Sequence, residues 1–201
     1  MSMFPSLPDD HQLADVFKRF PRSVLPLLEY HDRVLRDASP LTVAERELIA
    51  AYVSGLNACA YCHGSHLLAA QAFGIDEAVF DGLISDLDTA NVDEKLKPIL
   101  AYVGKLTREP AKITERDAAS IYAAGWDEEA LFSAICVCAL FNLMNRIVEG
   151  TGTRLDPLRQ SEADQKARMA RLSGGADPDD PYRAERSYSS LAKLWRIGSP
   201  D

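Results

Sequence analysis

The sequence predicts an all-α protein. Three observations carry that expectation. Alanine and leucine, which lose least on entering a helix, make up about a quarter of the 201 residues, and aromatics only 8%. Apolar residues recur at helical spacing, and no stretch alternates in the manner of a strand. Capping residues and glycines punctuate the chain at helix-length intervals.

Taken in order, Leu13 to Leu35 reads as two short helical pieces split near Pro21, the first carrying Val16, Phe17 and Phe20, the second Val24, Leu27, Leu28, Val34 and Leu35. Asp37-Ala-Ser-Pro40 is a break. Thr42 then offers an N-cap and Glu45, three residues on, completes a capping box; this helix is expected to run to Ser54-Gly55, with Gly55 as its stop. Asn57 is expected to cap the next helix, which carries Cys59 to Phe73 and ends at Gly74. Asp76 opens another through Leu83 and Leu87, and Asp93 to Leu106 forms a further one with Pro98 in or near its first turn. Thr114 with Asp117 starts a short helix that ends near Gly125. Asp127 caps a longer apolar helix, Leu131 to Val148, stopped by Gly150.

Beyond Gly150 the composition changes. Residues 151–201 hold nine Lys+Arg against eight Asp+Glu, whereas residues 1–150 hold 13 against 22. A polar helix is expected over Ser161 to Leu172, then a Gly/Asp/Pro break from Ser173 to Pro181, then a last helix carrying Tyr188, Leu191, Leu194 and Trp195. The chain therefore divides into a helical domain over 1–150 and a C-terminal extension over 151–201. The last helix packs either on this body or on a neighbouring subunit.

Composition also excludes function classes. A net charge of −8 disfavours nucleic acid, whose backbone rewards cationic surfaces. No run approaches 18 apolar residues, so no membrane span is expected. Met1 to Gln12 is polar and Pro-broken, without the basic and apolar regions of a secretory signal, so the expected location is cytoplasmic. No Gly-rich dinucleotide fingerprint follows a strand.

The chemistry concentrates in Asn57-Ala-Cys59-Ala-Tyr61-Cys62-His63-Gly-Ser-His66. On a helix Cys59, Cys62 and His66 (i, i+3, i+7) form one stripe, with His66 one turn after Cys62 and able to take a thiol proton. Both cysteines fall near a helix start, where the unpaired N–H groups favour a thiolate. A C-x-x-C there is short enough to close as a disulfide, which suits one thiol that attacks and one that resolves. Helix position alone favours Cys59 as the more acidic. Cys59-Ala-Tyr-Cys62-His63 also matches a haem-attachment motif with His63 as axial ligand, and Cys59, Cys62 and His66 could furnish three zinc ligands, but neither a signal segment nor a second ligand pair accompanies them. Cys136 and Cys138 sit in an apolar run and read as small core hydrophobes.

A Glu twelve residues before the first Cys of C-x-x-C, with a His four residues after the second, resembles the alkylhydroperoxidase D/carboxymuconolactone decarboxylase family; here these are Glu47, Cys59, Cys62 and His66. Gly125-Trp-Asp-Glu-Glu-Ala-Leu131, Phe141-Asn142 and Asn145-Arg146 are similar to the family's second half, so the resemblance covers about residues 40–150. The terminal additions look like those of its peroxidase-related subgroup. One departure is Tyr61, where the well-studied hydroperoxidase has a further His. The resemblance implies an alkylhydroperoxidase D-like helix bundle assembled as a homo-oligomer. It implies a thiol peroxidase in which Cys62 attacks a hydroperoxide, Cys59 resolves, and His66 with Glu47 relays protons, using a dithiol reductant and neither metal nor cofactor. His63 and Tyr61 are accessory candidates: His63 can act on Cys59 or be a solvated polar position, and Tyr61 can line the pocket or fill core. Asn142, Asn145 and Arg146 are expected to tie the last long helix to its neighbours. Two alternatives remain open, a decarboxylase or lactone-processing enzyme of the same fold and a non-catalytic redox sensor.

Overall fold

The computed structural model describes residues 2–154, 163, 166 and 187–198. Among them the regular structure is helical, with no strand. Its helices are α1 (Leu13–Arg19), α2 (Val24–Leu35), α3 (Val43–Leu56), α4 (Ala60–Ala72), α5 (Lys97–Arg108), α6 (Glu115–Ala123), α7 (Glu128–Thr151) and α8 (Tyr188–Leu194). They fall into two compact units, one over Ala38–Asn145, the other joining the residues up to Asp37 with the described ones from Arg146 onward.

The unit over Ala38–Asn145 is built around α3. Its apolar residues leave no polar side, and every residue from Arg46 to Ser54 is buried. It packs against α4 and α5, and α5 in turn against α6. Thr42 caps α3 as the sequence predicts: its hydroxyl accepts the Glu45 N–H at 3.2 Å, and Glu45 Oε2 accepts the Thr42 N–H at 2.7 Å. The same reciprocal box, Thr114 with Asp117, starts α6. Lys105 on α5 bridges to Asp117 at 2.7 Å, and that hydrogen bond, with those from Thr114, holds the Asp117 carboxyl down at about 2.

Five expectations are corrected here. Gly55 does not stop α3; it lies inside the helix because a Cβ there would meet Ile84 Cδ1 at 2.4 Å and His63 Nδ1 at 3.0 Å, so its smallness serves close packing. Asn57 does not cap α4 but ends α3, and the N-cap of α4 is Cys59. Asp76 caps only a 3-10 turn, Glu77–Phe80. From Asp81 to Leu96 the backbone proceeds by turns, since Gly82 takes a positive φ of 75° and Asp86 and Asp93 bond the N–H groups of Asp88 and Lys95 in place of helical partners. That also delays α5 to Lys97, with Pro98 in its first turn. Finally, α7 runs through Gly150 to Thr151 and yields at Gly152, whose φ is +72°. Its start is as predicted, Asp127 accepting the Ala130 N–H at 2.8 Å.

The α7 helix also departs from the expectation that no stretch could cross a membrane. By length and composition it qualifies, and half of the qualifying stretch is buried within the chain, as in the core helix of a globular fold. Cys138 is buried in this helix as expected, while Cys136 is only half-buried.

In the other unit α2 packs against α8. Asp32 of α2 takes the place of an N-cap for α8: its carboxylate accepts the backbone N–H groups of Tyr188 (2.5 Å) and Ser189 (2.9 Å) and the hydroxyls of Ser187 and Ser189. The Tyr188 ring lies 4.8 Å from that of His31 and under the Arg36 guanidinium, and Trp195 packs near Phe17. The last predicted helix thus exists and packs on its own chain. The polar helix expected over 161–172 lies outside the described residues, save Ala163 and Lys166, as does the break at 173–181.

Candidate functional site

The site is assembled where α3 hands over to α4. The end of α3 forms a Schellman motif: the Ala58 N–H bonds the Gly55 carbonyl (2.9 Å) and the Cys59 N–H bonds the Ser54 carbonyl (3.0 Å). Ala58 supplies the left-handed residue, at φ 54°. Cys59 is therefore both the residue that closes α3 and the N-cap of α4. Counting from it, Cys62 is the third helical residue. N-cap and third-position side chains face each other, as Thr42 and Glu45 do at 2.8 Å on α3. The C-x-x-C spacing places two thiols in that relation, at the electropositive end of α4.

One turn beyond Cys62, His66 turns back toward α3. Its Nδ1 donates to Glu47 Oε2 at 2.5 Å. Glu47 has no exposed surface and His66 is 9% exposed, so the carboxylate is compensated by this imidazole in a desolvated setting. With Nδ1–H given to the carboxylate, Nε2 keeps the lone pair. Phe141 of α7 packs its ring edge-on to His66, centroids 4.3 Å apart, and limits the imidazole's rotation.

A polar network holds the junction in place. Asn57, the C-cap of α3, donates to Asn145 (2.9 Å) and Asn142 (3.2 Å) of α7, and Asn145 donates to Ser54 at 3.0 Å. Asn142 reaches on to Thr107 of α5. Asn142 and Asn145 tie α7 to its neighbours, as the sequence suggested.

Glu47 and His66 are thus brought together, and Cys59 and Cys62 lie at the start of α4, Cys62 one turn before His66. Cys59 is 0% exposed and Cys62 4%. His63 bonds the Ala51 carbonyl through Nδ1 at 2.8 Å, a tie between α4 and α3, and Tyr61 is half-buried in the first turn of α4. All four cysteines are thiols. Cys138 lies apart, its thiol pushed up by burial against the lesser opposing effect of Thr107 and Asn142, which marks an inert sulfur. Among the described residues no group of three or more His, Cys, Asp and Glu could hold a metal ion. Sequence reasoning missed Phe141 as the partner of His66 and Asn57 as a clamp; the short Ala-only link between Asn57 and Cys59 was the signal that one residue ends α3 and the other begins α4.

Residues 24–95 match the family model described as the carboxymuconolactone decarboxylase family. Over this segment the chain is similar to that family. The matched segment contains Glu47, Cys59, Cys62 and His66, begins earlier than the resemblance read from sequence, and stops before α5. The likeness in fold, an alkylhydroperoxidase D-like helix bundle, extends further. An uncharacterized peroxidase-related protein from Silicibacter sp. TM1040 superposes with a TM-score of 0.67 at 23% identity, over 73% of this chain and 76% of its own. A second, from Ralstonia eutropha JMP134 and described as an alkylhydroperoxidase AhpD core, gives 0.67 at 22% identity, over 71% and 75%. Among proteins of curated function none matches this chain significantly.

Proposed function

We propose that this chain is a thiol-dependent peroxidase of the carboxymuconolactone decarboxylase family. The observation that carries the reading is the buried Glu47–His66 hydrogen bond one helical turn from Cys62. His66 Nε2, directly or through one water, takes the Cys62 proton, and Glu47 stabilises the resulting imidazolium. The thiolate attacks the distal oxygen of ROOH; the O–O bond breaks, Cys62 becomes a sulfenic acid, and the alkoxide leaves as ROH with the proton from His66. The Cys59 thiol then displaces water to form the Cys59–Cys62 disulfide, and an external dithiol restores both thiols. Cys62 takes the attacking role because it retains some exposure and has His66 beside it, while the enclosed Cys59 suits resolution. A reducing, cytoplasmic compartment fits this cycle. A decarboxylase or lactone-processing reaction has no need of a second thiol at the N-cap.

The test is hydroperoxide turnover by the purified chain with a synthetic dithiol. Cys62→Ser should abolish it, and Cys59→Ser should consume one equivalent of peroxide and stall as a sulfenic acid trappable by dimedone. Full turnover in Cys62→Ser would overturn the reading. Single-equivalent oxidation of the native chain without turnover would assign a redox sensor instead.

A further inference from the structure

The outer face of α7 carries a pattern that the site does not use. Glu129, Phe132, Cys136, Ala139, Leu143 and Arg146 follow one another at steps of 3, 4, 3, 4 and 3 residues, the spacing of a straight seam on a helix. All are exposed except Cys136, which is half-buried. Phe132 at 66% is the most exposed large apolar side chain among the described residues, and Leu143 stands at 47%. Scattered apolar exposure is ordinary; a large apolar pair aligned on one seam of a core helix is not.

We infer that this seam is the contact face for a second copy of the same chain, packed as an antiparallel, two-fold α7–α7 pair. The charge pattern selects that occupant and its register. In a two-fold pair the contact of residue i with j recurs as j with i. One antiparallel register sets Glu129 against Arg146 of the second copy, Phe132 against its Leu143, and Cys136 against its Ala139, and the symmetry repeats each contact. Every layer is then complementary: opposite charges at both ends, large apolar pairs inside them, and small residues at the centre where the backbones approach. A parallel pair would set Glu129 on Glu129 and Arg146 on Arg146. This deepens the homo-oligomer expected from the sequence by naming the surface, and it stands apart from the peroxidase reading. Phe141, which buttresses His66, lies two residues from Ala139, about 200° around the helix, so pairing leaves the site side of α7 untouched.

Sedimentation of the full chain over a range of concentrations, in aqueous buffer and after incubation with phospholipid vesicles, reads the assembly. The wild type should be dimeric or an even-numbered multimer and remain off the vesicles. Leu143→Glu should be monomeric with unchanged helical content. Glu129→Arg should weaken the dimer about tenfold as two symmetry-related rim pairs turn repulsive, and adding Arg146→Glu should restore it. Ala139→Cys should give a disulfide-linked dimer on mild oxidation that disappears when Cys136→Ser is added. The inference is overturned by a wild type that is monomeric or recovered on vesicles, by a dimer indifferent to Leu143→Glu, or by Ala139→Cys that links no better than wild type. None of these readouts depends on Cys62.

Discussion

Glu47 sits where an acid is costly: no part of it meets solvent, and its neighbours along α3 are Leu48 and Ala51. The His66 N–H at 2.5 Å is what makes the position tolerable, and the same hydrogen bond fixes the tautomer that a proton relay needs. Glu47→Gln keeps the volume and an acceptor for Nδ1–H while removing the charge that stabilises the imidazolium. Hydroperoxide turnover should fall about 100-fold with KM little changed, the size of a lost acid–base contribution. The pH midpoint of Cys62 alkylation by iodoacetamide should rise with it. Turnover within about twofold of wild type would remove the pair from the mechanism. Much of this site was legible in the chain, because the Cys59, Cys62 and His66 stripe is set by helix pitch alone. The Glu47–His66 contact spans 19 residues and two helices, so no periodicity could place it.

At the scale of elements, helix starts were legible where a local side-chain cap holds, and not at Asn57, which ends α3, nor at Asp76, which caps only a 3-10 turn. Thr42, Thr114 and Asp127 cap where the sequence put them, since a cap is a bond between residues two or three apart. The stop failed at Gly55 because glycine marks both a left-handed turn and a close approach, and only packing separates the two; at Gly150 a Cβ would meet nothing, and the left-handed residue that ends α7 is Gly152, two positions on. The left-handed residue after α3 is Ala58, which carries a Cβ where glycine would carry none. Ala58→Gly should therefore stabilise the chain by about 0.5–1 kcal/mol, the relief of a left-handed Cβ reduced by the greater entropy of the unfolded glycine. The melting temperature should rise by about 1–4 °C. A fall in melting temperature would mean that the Ala58 methyl makes packing contacts worth more than the backbone strain.

On the scale of the whole chain, the Asp32–Ser187 hydrogen bond joins groups 155 residues apart, a closure whose entropy must be offset by what docks there. Burial alone would raise the Asp32 carboxyl, but the hydrogen bonds from Ser189, Ser187 and Tyr188 outweigh it and hold the group below its ordinary 3.8. A depressed folded-state value means that the stabilisation is fully present above 3.8 and is lost as pH falls through the lower, folded value. Asp32 thus latches α8 at neutral pH and releases it in acid. Trp195 beside Phe17 reports the latch, and Trp126→Phe leaves it as the single tryptophan of the chain. In that background Asp32→Asn loses the charge-assisted bonds, so Trp195 emission should already be red-shifted at neutral pH, with far-UV circular dichroism nearly unchanged. The parent should reach the same emission only below 3.8, while the variant stays level across that range. Unaltered neutral-pH emission in Asp32→Asn would show that the packing of Phe17 against Trp195, and of His31 and Arg36 against Tyr188, holds α8 without the carboxylate.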